Sequence, residues 1–306
     1  MATIREVYGD LAMQMVQNSR QPDRITHDAI FQESNLNNRS LIEKILDDLV
    51  QPGSSMVGAD HIRELYQRCK AGEPGLLLLE HYSNFDIPCL FYLMHKLGPE
   101  YAEAIESVVA MAAMKLNEES RFVLAFTEAY TRIVIYPGRA LEVAARGTQE
   151  EEEIRKAKQI NMSAMREMVR CKNTGRIILL FPTGTRYRPG VPDSKRILRA
   201  VDAYIKGFRN AVFVGIAGNV LLVNPESEMS EDFLNPDIVT FAAGPVISCS
   251  QFRNAAREAA PSDQTPKDAV AEAVGRKLDE MHQVAQLARA EALSGSPAAT
   301  DSDPAP

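Results

Sequence analysis

"GLLLLEHYSNFDIPCLFYLMHKLG", residues 75–98, decides the fold. Gly75–Leu79 is a continuous apolar run behind Glu-Pro, the composition of a strand buried on both faces. From Ile87 onward the apolar residues read as a helix that Gly98 ends. Between the two lie Glu80, His81, Ser83, Asn84 and Asp86. Polar groups at the end of a buried strand are paired, exposed in a cleft, or used.

The same alternation continues outward. "SVVAMAA" (107–113), "RIVIYP" (132–137), "GRIILLFP" (175–182), "NAVFVGIAG" (210–218) and "DIVTFAAG" (237–244) read as strands. Helical stretches separate them near 118–130, 150–170 and 193–207, and a last helix opens at Thr265 with Pro266 in its first turn. Strand–helix alternation predicts an α/β fold, with a mixed, mostly parallel central sheet flanked by helices. Reactive groups in such sheets gather at the carboxyl ends of strands. Residues 1–70 show helical spacing without a strand pattern, as in Leu41, Ile42, Ile45, Leu46 and Leu49, with Asp60 as a cap candidate for "DHIRELYQRCK". They are expected to form a small helical N-terminal domain or layer, followed by an α/β domain over 71–292 and a disordered tail over 293–306.

Composition narrows the function classes. The 306 residues are 45% hydrophobic, ample for a core, and 25% charged. No apolar run approaches the roughly 18–20 residues of a membrane span, and the N-terminus has no signal-peptide pattern. Four scattered cysteines (Cys69, Cys89, Cys171, Cys249) form no CxxC pair, which suits a reducing cytoplasm. A net charge of −7 argues against nucleic acid as a partner. Yet Arg186–Arg209 holds seven basic residues (Arg186, Arg188, Lys195, Arg196, Arg199, Lys206, Arg209) against Asp193 and Asp202. Such a local excess wants an anionic partner.

Two stretches carry candidate chemistry. His81 and Asp86 are five positions apart, about 140° around a continuous helix, and face each other only if the chain turns through Tyr82–Asn84. A helix starting near Asp86, with Pro88 in its first turn, provides that turn. Asp86 then accepts the Nδ1 proton of His81 and leaves Nε2 as a base. The same residues also fit a capping aspartate and a satisfied surface histidine. The second stretch, "FPTGTRYRPG" (181–190), follows an apolar strand. Gly184 permits a tight turn whose N–H groups could hold an anion, and Arg186 and Arg188 carry fork-shaped donors matched to phosphate. The alternative is a Gly/Pro loop with solvated arginines.

Together, His-x4-Asp and, about 100 residues on, Phe-Pro-x-Gly-Thr-Arg resemble the motifs of the glycerolipid acyltransferase family. His81 and Asp86 match the first motif; Phe181, Pro182, Gly184, Thr185 and Arg186 match the later one. "RIVIYPGR" is similar to the intervening motif, with Arg139 in the basic position. The resemblance spans about 75–245 and is closest in look to the soluble, plastid-type glycerol-3-phosphate acyltransferases, which share Arg-x-Arg after the glycine. Thr183 stands where many members carry Glu, Glu80 where Asn is frequent, and "VFVGI" (212–216) lacks the proline of the family's last motif.

The resemblance implies acyl transfer from a thioester of acyl carrier protein or coenzyme A to a hydroxyl of glycerol-3-phosphate or its monoacyl ester, lysophosphatidate. It implies no bound cofactor and no metal. His81 and Asp86 would be catalytic, and Arg139, Gly184, Thr185, Arg186 and Arg188 would bind the acceptor phosphate. Lys195, Arg196, Arg199, Lys206 and Arg209 would receive an acidic carrier protein, coenzyme A phosphates or an anionic membrane surface; their other reading is a solvated basic helix face. The alternative function is a non-catalytic lipid- or carrier-binding protein on the same scaffold. A serine hydrolase is disfavoured because no Gly-x-Ser-x-Gly occurs. The five histidines (His27, His61, His81, His95, His282) show no metal-ligand spacing.

Overall fold

The computed structural model describes residues 1–20, 25–114, 116, 120–136, 151–224 and 231–295. In chain order the elements are α1 (Ile4–Asn18), β1 (Phe31–Gln32), α2 (Leu36–Leu49), β2 (Ser55–Val57), α3 (Ala59–Lys70), β3 (Gly75–Leu79), α4 (Asp86–Leu97), α5 (Pro99–Glu106), β4 (Val108–Ala113), α6 (Arg121–Thr127) and β5 (Arg132–Ile135). There follow α7 (Glu151–Asn173), β6 (Ile177–Leu180), a 3₁₀ turn (Pro192–Lys195), α8 (Val201–Gly207), β7 (Asn210–Ala217), β8 (Leu221–Leu222), β9 (Phe233–Leu234), β10 (Thr240–Ala243), β11 (Ile247–Ser248), α9 (Cys249–Glu258) and α10 (Pro266–Gly295).

Among the described residues nine strands form one mixed sheet in the order β1-β5-β4-β6-β3-β7-β10-β2, with β11 alongside β7. The five central strands, β5 to β7, are parallel; β1 runs antiparallel to β5, β10 and β11 run antiparallel to β7, and β2 lies parallel to β10. β3 lies in the middle, between β6 and β7, and all its residues are buried. Its leucines alternate between two cores. Leu77 and Leu79 pack with Ile42, Ile62 and Leu90 from α2, α3 and α4. Leu76 and Leu78 pack with Ile160 of α7 and Val274 of α10. A strand covered on both faces reads as an unbroken apolar run, hence "LLLL".

The first 70 residues contribute α1–α3 to one side of the sheet and also two strands at its edges, β1 against β5 and β2 against β10. Strands of two and three residues are too short to show a period. Asp60 is not a cap: Gly58 occupies that position in the left-handed region, and Asp60 pairs with Arg63 inside the first turn.

On the opposite side α10 lies against β7 at close range. A Cβ on Gly215 would stand 2.2 Å from the His282 amide nitrogen, so only glycine lets the helix approach. Thr265 caps α10 by accepting the Asp268 N–H at 3.2 Å. The helix continues through Gly295, into the stretch expected to be tail; residues 296–306 lie outside the described residues. Among the described residues no helix is long and apolar enough to cross a membrane.

Candidate functional site

β3 and β6 are parallel neighbours, with Leu78 opposite Leu180. The stretches that follow them, Glu80–Asp86 and Phe181–Gly190, therefore leave the sheet side by side at its carboxyl edge. The first turns sharply because the Asp86 carboxylate folds back on it. Asp86 Oδ2 accepts the N–H groups of Tyr82 at 2.8 Å and Ser83 at 2.9 Å, and lies 2.8 Å from His81 Nδ1. A carboxylate only accepts, so Nδ1 carries the proton and Nε2 is the bare nitrogen. Among the described residues Nε2 has no hydrogen-bond partner. Asp86 is buried at 4% exposure, and the His81 side chain keeps 17%.

The second stretch is built onto the first. The Phe181 ring stacks on the His81 imidazole, centroids 3.8 Å apart and planes 15° apart. The Tyr187 N–H donates to the His81 carbonyl at 2.7 Å. Gly184 turns at φ +64°, and a Cβ there would meet Leu198 Cδ1 at 2.6 Å. Thr183 braces this turn by donating its hydroxyl to the Thr185 carbonyl at 2.7 Å.

Asp232 is the residue that sequence reasoning missed. It is fully buried just before β9. Its Oδ2 accepts Asn84 Nδ2 at 3.1 Å and pairs with Arg186 Nη1, and its Oδ1 accepts the Asn224 N–H at 3.0 Å. One carboxylate oxygen thus ties the His81 turn to the arginine loop. Burial pushes its pKa above the ordinary carboxylate value, although the Arg186 charge and the hydrogen bonds pull the other way. No local signal marks it: it lies 148 positions from Asn84 and 46 from Arg186.

Several expectations change in this light. The Gly184 N–H donates to the Phe181 carbonyl at 2.9 Å and is not free to hold an anion, and the N–H groups of Tyr82, Ser83, Phe85 and Asp86 likewise have acceptors. Arg186 is not a bare cation but the partner of Asp232. Arg188 is exposed, and its guanidinium has no partner among the described residues. Arg139 lies outside the described residues.

The five cations expected to meet an anionic donor do not form one helix face either. Arg196–Ala200 is not helical, because the Leu198 N–H donates to the Pro182 carbonyl at 2.9 Å and holds this segment against the glycine turn. Lys195 lies at the site end, 4.6 Å over the Tyr187 ring. Arg196 is 3.9 Å from Asp193, and Arg199 pairs with Asp268 of α10. Lys206 is on α8, and Arg209 pairs with Glu73 at 3.3 Å beside the start of β7, the opposite edge of the sheet. The segment runs back along the sheet and spreads the charges over its length.

All four cysteines are free and buried, and burial pushes Cys69 and Cys249 up to about 12 and Cys89 well above its usual value. Their thiols are poor nucleophiles. Among the described residues no three potential ligands are grouped to hold a metal ion. No family model matches the chain and no curated protein matches it, so what can be said of its chemistry rests on a histidine–aspartate pair with one free nitrogen, set against a loop of two arginines.

Proposed function

We propose that the protein moves an acyl group from an acyl thioester to a hydroxyl of a phosphorylated glycerol, glycerol-3-phosphate or its monoacyl ester. The observation that carries this reading is the His81–Asp86 pair, its Nε2 unoccupied, with the Arg186–Arg188 loop bonded to the His81 carbonyl. The acceptor hydroxyl gives its proton to Nε2 as its oxygen attacks the thioester carbonyl. Asp86 holds the tautomer and stabilises the imidazolium. Collapse of the tetrahedral intermediate breaks the C–S bond, and the imidazolium returns its proton to the departing thiolate. The acceptor alcohol is itself the nucleophile, so no enzyme nucleophile is needed. General-base help of this kind gives about 10² to 10⁴ in rate. The exposed Arg188, with the donors of Arg186 not held by Asp232, seats the phosphate and positions the hydroxyl. The four unpaired cysteines suit a reducing compartment such as the cytoplasm.

The pairing of Arg186 with Asp232 favours one rival reading, a carrier- or lipid-binding protein without catalysis, since it neutralises a phosphate-binding charge. A transfer assay decides between them, with carrier-protein and coenzyme A thioesters against glycerol-3-phosphate and lysophosphatidate. Product that requires His81, compared with a folded His81→Ala control, supports the transferase. Binding of donor or acceptor without product supports the rival.

A further inference from the structure

Behind the His81 turn, on the other face of the sheet, lies a second histidine–carboxylate pair. Glu80, half-buried at the end of β3, gathers three elements. Its Oε2 accepts the Ile216 N–H of β7 at 2.8 Å and lies 3.0 Å from His282 Nδ1 on α10. Its Oε1 accepts the Tyr82 hydroxyl at 2.9 Å. Gln286 closes the other side of the ring, 2.8 Å from His282 Nε2. The Glu80 hydrogen bond raises the His282 pKa against desolvation and the nearby Lys195 charge. Tyr82 belongs to both clusters: its ring is fixed by Glu80, while its backbone N–H donates to the Asp86 oxygen that holds His81.

We propose that Glu80 and His282 are positioning residues for His81: the Ile216–Glu80–Tyr82 link, backed by His282, fixes the turn in which Asp86 orients the imidazole. The placement is specific. Glu80 and His81 are successive residues and so lie on opposite faces of the sheet. The carboxylate therefore leaves His81 untouched and acts only through Tyr82 and the backbone. Three contacts from three elements leave it one geometry, which packing of an apolar residue at this position would not impose. The reading extends the proposed acyl transfer and needs it only for the kinetic arm of its test.

The test compares Glu80→Ala, Glu80→Gln and Tyr82→Phe in the full chain. It uses the transfer assay, urea denaturation and the ¹H–¹⁵N imidazole spectrum of His81, which reports the tautomer. Glutamine can keep all three contacts, with its carbonyl oxygen toward Ile216 and His282 and its amide toward the Tyr82 oxygen. Tyr82→Phe deletes one oxygen and no packing. Glu80→Ala is expected to lower kcat about 10- to 100-fold, the scale of an ångström-sized misplacement, with KM for the acceptor changed less than about threefold. His81 should lose its single Nδ1–H tautomer. Tyr82→Phe should reproduce part of both effects, and Glu80→Gln should recover kcat to within about threefold of wild type. A Glu80→Ala protein of lower stability but wild-type kcat and His81 spectrum would show a purely structural contact. Wild-type behaviour of Tyr82→Phe alone would remove the route through Tyr82, and it decides the matter if Glu80→Ala does not fold. Loss in Glu80→Gln as deep as in Glu80→Ala would also overturn the proposal. If wild-type protein transfers no acyl group, the functional reading fails while the His81 spectrum still tests the positioning.

Discussion

Asp86 allows catalysis and folding to be separated by two substitutions at one position. Its Oδ2 serves three donors, His81 Nδ1 and two backbone N–H groups, at 2.8–2.9 Å in a site 4% exposed. Asp86→Ala removes the acceptor from all three. A buried donor left without a partner costs about 1–3 kcal/mol, and such costs are not additive, so a loss of about 2–5 kcal/mol in unfolding free energy is expected. Asp86→Asn keeps the shape and a carbonyl oxygen for the backbone groups but loses the charge. That costs about 1–2 kcal/mol, the difference between a charge-assisted and a neutral hydrogen bond. Activity responds differently. Without a carboxylate neither variant stabilises the imidazolium, and both should lose about 10² to 10⁴ in kcat, equivalent to about 3–5 kcal/mol of activation free energy. Urea denaturation followed by circular dichroism reads the first quantity, and single-turnover acyl transfer the second. An Asp86→Asn protein that transfers within about tenfold of wild type would refute the role assigned to this pair.

Gly215→Ala should cost more than about 3 kcal/mol, because its Cβ meets the backbone of α10 rather than a side chain that can move; thermal melting with unchanged stability would show that α10 docks less closely. Arg132 is 2% exposed; Nε donates to Gln32 at 2.7 Å while Nη1 and Nη2 have no hydrogen-bond partner among the described residues, and desolvation by burial lowers its pKa to about 9. Its folded pKa lies below its unfolded value, so the cost of burying the charge is full below about pH 9 and is relieved as pH rises from there toward the unfolded value. Arg132→Met should therefore stabilise by about 1–3 kcal/mol at pH 7 and flatten that rise, and urea midpoints of both proteins between pH 7 and 10 check it. Arg188→Ala should raise the acceptor KM about tenfold or more with less than about 0.5 kcal/mol of destabilisation, since the side chain is exposed. Arg186→Ala leaves Asp232 buried and unpaired, a loss of about 3–5 kcal/mol that Asp232→Asn in the same chain should partly restore; equal stability of the single and double variants counts against the pair.

What could be read without coordinates is what local physics decides. The leucine run of β3 announces a strand with both faces covered, and a polar turn behind it announces the carboxyl edge of a sheet. His81 and Asp86 could be paired on paper because only five positions separate them and the intervening residues tolerate a turn. The same local reading failed at Arg196–Ala200, where Ile197 and Leu198 suggest a continuing helix. There a hydrogen bond from Leu198 to Pro182 and the packing of its side chain over Gly184 outweigh a modest helical preference, as tertiary contacts do for short segments. The misreading changed the picture of the charges as well, since a single basic helix face became five cations distributed along the sheet. Asp232 and His282 were illegible for a different reason: a buried carboxylate and a helix-borne imidazole acquire meaning only from partners 148 and 202 positions away. Both act on the turn that was legible, Asp232 through Asn84 and Arg186, His282 through Glu80 and Tyr82. A short turn at a sheet edge has few contacts of its own, so its geometry must be held by distant residues, and these are the ones a linear reading is least able to see.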